Sequence, residues 1–176
     1  IVCQEYWAAR GLKTAIARFH NVYGPHGTWD GGREKAPAAL SRKVVEARDN
    51  GSYAVELWGD GTRTRSFMWI GDCVDGIDRI MHCDELVSTP INLGSHELVS
   101  VNELLSLIED IAGFKVERRY DLAQPLGVGG RNSDNTMIKR VLGWEPSTPL
   151  RDGMAKTYAW IEEQYNLRKA GKKVVL

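Results

Sequence analysis

The 176-residue sequence is poor in the features that would fix it to metals, membranes or nucleic acids. Its three cysteines, Cys3, Cys73 and Cys83, are odd in number and not in metal-ligand spacing. That argues against a disulfide framework or zinc site and for a reducing, cytoplasmic setting. Cys3 and Cys73 fall in helical patterns and read as packing residues. Four histidines, His20, His26, His82 and His96, lack ligand spacing, so no metal is expected. There is no net charge, with 23 basic residues against 23 acidic ones. The basic surplus of nucleic-acid and anionic-membrane binders is therefore missing. No apolar run approaches the roughly 18 residues of a membrane span, and no signal-like segment opens the chain. No G-x-G-x-x-G follows a strand, and Gly127-x-Gly-Gly is not that fingerprint. Tyr165 and Lys169 have Tyr-x-x-x-Lys spacing, but in a polar terminal helix. What remains is a 43% hydrophobic chain, long enough for one core or one and a part.

Its periodicities alternate strands and helices, which indicates α/β architecture. Residues 1–10 read as the end of a helix stopped by Gly11, and residues 13–19 as a buried strand. A Gly/Pro-rich loop is expected from 20 to 32, then a helix from 33 to about 48 with Pro37 in its first turn. Residues 54–58 and 65–70 read as strands of a hairpin around Gly59-Asp60-Gly61. Asp72 is a candidate cap for a helix whose buried stripe is Val74, Ile77 and Met81. A strand at 90–93 follows. Ser100 and Glu103 form a capping box ahead of Leu104, Leu105, Ile108 and Ile111. A strand at 115–120, a short helix capped by Ser133 or Asp134 and ended by Gly143, and a helix begun at Thr148-Pro149 complete the chain.

Four segments carry candidate chemistry. Arg18-Phe-His-Asn-Val-Tyr-Gly-Pro25 follows a strand, where open α/β sheets bind ligands, and Asn21 can both donate and accept. The same residues suit a plain turn. Gly27-Thr-Trp-Asp-Gly-Gly-Arg-Glu-Lys35 runs into a helix start, where free N–H groups favour an anion. Lys35 opposes the helix dipole there and so has no helix-stabilising reason to be present; in a partly dry pocket it would suit proton transfer. A solvated loop lysine is the plain alternative. Arg42 lies nearer the Lys35 face than Lys43 does, so helix geometry alone does not select Lys43. Arg63 and Arg65, flanking Thr64, share one face of a strand and could clamp a diphosphate, or salt-bridge a hairpin edge. The loop from Gly127 to Asp134 delivers Arg131 just before a helix, as a ligand contact or as a solvated arginine.

Taken together, R-F-H-N-V-Y-G-P, W-G-D-G-x-x-T-R-S-F, I-N-L-G-S and L-G-W-x-P…L-x-x-G-M…T-x-x-W-I resemble the extended short-chain dehydrogenases/reductases that act on nucleotide sugars. This resemblance covers almost the whole chain. G-T-W-D-G-G-R-E-K-A-P-A-A-L-S-R-K is more specific and is similar to the GDP-mannose 3,5-epimerases, as is G-G-R-N-S-D-N. The resemblance implies NAD as cofactor, oxidation of the mannosyl C4, proton exchange at C3 and C5, and reduction at C4, giving GDP-L-galactose or GDP-L-gulose. It implies Lys35 as the acid/base, and Glu34 and Asn21 on the sugar. Lys43, Arg63, Thr64, Arg65 and Arg131 would address the diphosphate and guanosine. Arg63 stands where the family has Gln; a guanidinium can donate but not accept.

The family's glycine-rich motif, its catalytic Tyr-x-x-x-Lys and the cysteine facing the acid/base lysine are not in this sequence. By pattern, Ile1 falls inside the helix that bears the Tyr-x-x-x-Lys. The expected fold is therefore the C-terminal portion of a Rossmann-type NAD(P)-binding fold plus a small mixed α/β substrate-binding lobe. Residues 1–32 would be the Rossmann remainder and 33–176 mainly the nucleotide-sugar lobe, with Arg65 to Asp84 and Pro90 to Leu93 returning to the Rossmann part. NAD would be bound mainly by the half not present, the chain alone would be inactive, and the intact enzyme would be a homodimer. A related sugar-nucleotide decarboxylase or dehydratase, or a non-catalytic binding remnant, are the alternatives.

Overall fold

The structure, a computed structural model, describes residues 1–124 and 129–175. It divides into two compact units, the first of residues 1–22, 66–97 and 132–148, the second of 23–65, 98–131 and 149–176. Both units mix helices with parallel strands, as the alternating periodicities predict.

In the first unit, helix α1 (Val2–Arg10) ends at Gly11, whose φ of 65° is the left-handed cap that glycine adopts without strain. No residue of α1 is buried. Strand β1 (Ile16–Phe19) pairs in parallel with β5 (Pro90–Leu93), Ile16 opposite Pro90 and Phe19 opposite Leu93. β1 is shorter than the expected 13–19 strand, because Lys13 turns out to pair with Asp84 at 2.6 Å and Thr14 bonds Ser88. The expected loop at 20–32 contains a strand, β2 (Asn21–Tyr23).

Helix α3 (Ile70–Met81) corrects two expectations. Asp72 does not cap it; Trp69 occupies that position, and the Asp72 carboxylate instead accepts from the backbone N–H groups of Ser147 and Thr148 and from the Thr148 hydroxyl. The buried face is Cys73, Gly76 and Ile80, one residue behind the expected stripe, and Val74 and Met81 are exposed. Gly76 explains the rotation. A Cβ there would lie 2.5 Å from the Leu93 side chain and 3.1 Å from Trp144, so the helix turns its side-chain-free position to the core. Hydrophobic periodicity gives such a position no weight. Gly76→Ala is expected to destabilise the protein by about 1–3 kcal/mol, because Leu93 is fully buried and has nowhere to move. Urea unfolding of the variant checks this. Helix α5 (Thr136–Leu142) ends at Gly143 as expected but is entered through Asn135, while the Asp134 carboxylate accepts from Thr136 N–H.

The second unit is built on helix α2 (Ala36–Asp49), packed against α4 (Val101–Ala112) and α6 (Leu150–Lys169). α2 begins three residues later than expected, since a proline lacking N–H fits only the first turn, and Pro37 there is the second helical residue. The Ser100 and Glu103 capping box of α4 forms as its spacing predicts. Leu104, Leu105 and Ile108 are buried as expected, but Glu109 is buried beside them, accepting from Val116 N–H and from Arg118.

The expected hairpin does not form. β3 (Ala54–Trp58) pairs in parallel with β7 (Glu117–Asp121), whereas β4 (Thr64–Trp69) lies in a different sheet of order β2-β4-β6, β6 being Leu98–Ser100. The connection between β3 and β4 is occupied elsewhere. Gly59 N–H donates to the Asp121 carbonyl, and the Gly61 and Arg63 carbonyls accept from Asn102 and Val101 at the start of α4. Gly61 lies so close to Asn102 that any Cβ would fall 2.4 Å from its amide.

Candidate functional site

The loop entering α2 brings Asp30 and Glu34 together with Arg42 and Arg168. Gly31 and Gly32 have φ of 94° and 82°, so the turn delivering Glu34 uses conformations other residues rarely adopt. Just before them, Trp29 is fully buried and its indole N–H donates to the Val175 carbonyl. The Arg168 guanidinium of α6 stacks over the Trp29 ring, 4.5 Å from its centroid, and pairs with Asp30.

Glu34 has a side chain only 6% exposed. Its Oε1 accepts from Arg42 Nη2 at 2.9 Å, while its buried Oε2 has no hydrogen-bond partner among the described residues. Burial pulls this carboxyl up, but nearby backbone N–H groups and the Arg42 guanidinium outweigh it, and the group lies below the usual value for glutamate. Arg42 also forks onto both oxygens of Glu46, at 2.9 and 2.8 Å, and approaches Asp30 at 3.4 Å. Burial pulls Asp30 up as well, yet it too is lowered on balance, by Arg168, Gly31 N–H and Arg42 together.

Glu34, Ala36, Leu40, Arg42, Lys43, Leu57 and Trp58 line a cavity of about 470 Å³. A space of that size suits a drug-sized ligand. Lys43 Nζ donates to the Glu56 carbonyl at 2.8 Å, at the same cavity.

Lys35 is the residue at the N-terminal boundary of α2, and its carbonyl accepts from Ala38 and Ala39 N–H. Of the two settings open to it from the sequence, a partly dry pocket and a solvated loop, this structure gives the solvated one. Lys35 is exposed, does not line the cavity, and has no ion-pair partner among the described residues. The physical reason is its place at the mouth of the helix, where the chain turns out of the loop before the packed turns begin. The first turn of α2 holds no acidic residue.

The loop that bears Arg131 meets the Arg63-Thr64-Arg65 segment through backbone. Thr64 N–H donates to the Gly129 carbonyl at 3.1 Å. A Cβ on Gly129 would lie 3.3 Å from the Arg63 guanidinium, and one on Gly130 would lie 2.6 Å from the Thr64 hydroxyl. The two glycines thus let the loop bearing Arg131 approach Arg63 and Thr64. Arg131 is exposed, and Arg65 Nη1 donates to the Thr64 carbonyl at 2.6 Å. Of the expected Gly127 to Asp134 loop, Gly127 and Val128 lie outside the described residues. Asn21 belongs to the first unit, where its amide donates to the Ser66 carbonyl at 3.1 Å and fixes β2 to β4.

Helix geometry alone points to Arg42, though not to its role. Trp29, Asp30 and Arg168 escape a reading of the sequence, because Arg168 meets Asp30 across 138 positions and no local pattern signals such a pair. Among the described residues no group of His, Cys, Asp and Glu could hold a metal ion, and no helix is long and apolar enough to cross a membrane.

Comparison with known proteins gives these arrangements a context. The pattern of the NAD dependent epimerase/dehydratase family matches residues 1–94. The chain is 45% identical over 168 residues to GDP-mannose 3,5-epimerase 1 of Oryza sativa subsp. indica and 45% identical over 169 residues to GDP-mannose 3,5-epimerase of Arabidopsis thaliana. Both matches cover 96% of this chain and 43% of the relative, so the chain spans less than half the length of these curated relatives. Among solved structures, UDP-glucuronic acid 4-epimerase from Bacillus cereus in complex with NAD superimposes with a TM-score of 0.78 at 25% identity, covering 94% of this chain and 48% of that one. The chain belongs to the NAD dependent epimerase/dehydratase family.

Proposed function

We propose that the chain is the sugar-nucleotide-binding and proton-transferring part of a GDP-mannose 3,5-epimerase. The observation that carries this reading is the 45% identity to two proteins of that name over 96% of the chain. The geometry agrees with it. A buried carboxylate with one free oxygen, Glu34, lines a cavity beside Lys43, and Lys35 follows it directly in the chain. In this reading Glu34 Oε2 accepts a hydrogen bond from a sugar hydroxyl, and Asn21 assists. Lys35 moves the proton at a sugar carbon next to a carbonyl, where the C–H bond is acidic enough for general acid/base catalysis. Lys43, Arg63, Thr64, Arg65 and Arg131 neutralise the diphosphate and hold the guanosine, with guanidinium forks matched to phosphate oxygens.

NAD, read as held mainly by residues outside this chain, would supply the oxidation at C4 that makes this carbonyl and the reduction that removes it. Residues 1–32, with 65–84 and 90–93, are read as the Rossmann remainder and the rest mainly as the nucleotide-sugar lobe; the two compact units follow this division, except chiefly that 23–32 belong to the second unit and 132–148 to the first. The homodimer is supported by α1, whose Val2, Tyr6 and Trp7 are exposed. The cytoplasmic setting is supported by three cysteines without a disulfide.

Calorimetric titration of the chain with GDP-mannose and with UDP-glucuronate tests the proposal. GDP-mannose is expected to bind and to quench tryptophan fluorescence through Trp58, which lines the cavity and is 62% exposed. Binding of UDP-glucuronate in preference would favour a related decarboxylase. Binding of neither would overturn the reading.

A further inference from the structure

We propose that Arg42 is a positioning residue that fixes Glu34, so that one carboxylate oxygen is occupied by the protein and the other is kept for the sugar. This rests on the nucleotide-sugar reading of the cavity and goes beyond it, since Arg42 is assigned no contact with ligand. Arg42 is itself mostly buried, its side chain 17% exposed. It meets three carboxylates at once: Glu34 at 2.9 Å, Glu46 at 2.8 Å and Asp30 at 3.4 Å. Asp30 in turn pairs with Arg168 of α6. The guanidinium is planar and its donors form a rigid fork, so binding Glu46 with one amino group orients the other toward Glu34.

The consequence for Glu34 is asymmetric. Oε1 is satisfied by Arg42, and Oε2 is buried and, among the described residues, unpartnered. An unpaired buried oxygen is costly unless something completes it, and the cavity Glu34 shares with Leu40, Lys43 and Trp58 leaves room for a ligand hydroxyl. Without Arg42 the carboxylate would keep only the nearby backbone N–H groups and lose the charged partner that favours the orientation with Oε2 open to the cavity. A lysine in place of Arg42 would keep the charge but lose the fork that binds Glu34 and Glu46 together.

The test measures the affinity of the full 176-residue chain for GDP-mannose and for GDP, which lacks the sugar. Wild type is expected to bind GDP-mannose more tightly than GDP. Arg42→Gln is expected to lower GDP-mannose affinity by roughly 10- to 100-fold, the equivalent of one hydrogen bond to a charged group, and to lower GDP affinity far less. Glu34→Gln should do the same, and the double variant should be no worse than either single one, since both remove one interaction. Arg42→Lys should fall between wild type and Arg42→Gln, and it supplies the comparison if Arg42→Gln does not fold.

Equal losses for GDP and GDP-mannose would make Arg42 a merely structural residue and overturn the inference. Additive losses in the double variant would also overturn it, because Arg42 would then touch the ligand itself. If wild type binds neither compound, the functional reading falls and this inference falls with it. If wild type binds both and Arg42 variants behave as wild type, only the inference falls.

Discussion

Replacing Lys35 with alanine is expected to abolish epimerisation while leaving nucleotide binding in place. The measurement uses a chimera in which this chain replaces the matching part of the Arabidopsis relative, incubated with GDP-mannose in D2O. Wild-type chimera should incorporate carbon-bound deuterium at C3 and C5 of the sugar. Lys35→Ala should lower the rate by roughly 10²- to 10⁴-fold, the usual contribution of a positioned acid/base. Lys35→Arg separates proton transfer from simple charge. A guanidinium keeps the positive charge but does not give up its proton in proteins, so this variant should be as inactive as alanine. GDP affinity should change little in either variant, because Lys35 does not line the cavity. Nor does the lysine serve the fold. It has no ion-pair partner among the described residues, and its position opposes the dipole of α2. Deuterium uptake at both carbons in Lys35→Ala would remove it from the mechanism.

The second large effect concerns stability. Trp29→Ala should destabilise the chain by about 3–5 kcal/mol, the range for truncating a fully buried aromatic residue. Three contacts go with it. The indole N–H leaves the Val175 carbonyl, the ring no longer supports the Arg168 guanidinium, and a cavity opens beside the loop that carries Asp30. Trp29→Phe should lose less, since it keeps most of the apolar volume and loses the hydrogen bond. Urea unfolding of both variants measures this, and a loss below about 1 kcal/mol for alanine would contradict the assigned packing.

The difference between Lys35 and Trp29 also marks what can be read from the sequence. Features set within a few residues are legible. Gly11 and Gly143 end their helices in the left-handed conformation, and the Ser100 and Glu103 box caps α4, because each depends on neighbours in the chain. The choice of Glu34, Lys35 and Lys43 as candidate site residues comes from resemblance more than from spacing. In the structure Glu34 and Lys43 share a cavity, and two glycines allow Arg131's loop to meet Thr64. Where the fold is decided by distant partners, the sequence is silent or misleading. Trp29 lies in a loop that reads as turn, yet it is one of the most deeply buried residues. The glycines between β3 and β4 resemble a hairpin turn, but their backbone is bonded to Asp121 and to the start of α4. On α3 the decisive residue is Gly76, whose importance lies in what it does not occupy.

Lys43 is tethered within its own unit. Its ammonium already donates to the carbonyl of Glu56. An ammonium has three protons, so one such bond leaves two for a phosphate. A long flexible side chain held in this way has given up much of its rotational freedom during folding. If the proposed function holds, a diphosphate arriving at Lys43 meets a cation whose ordering cost was met when the chain folded, and more of the charge attraction remains as binding energy.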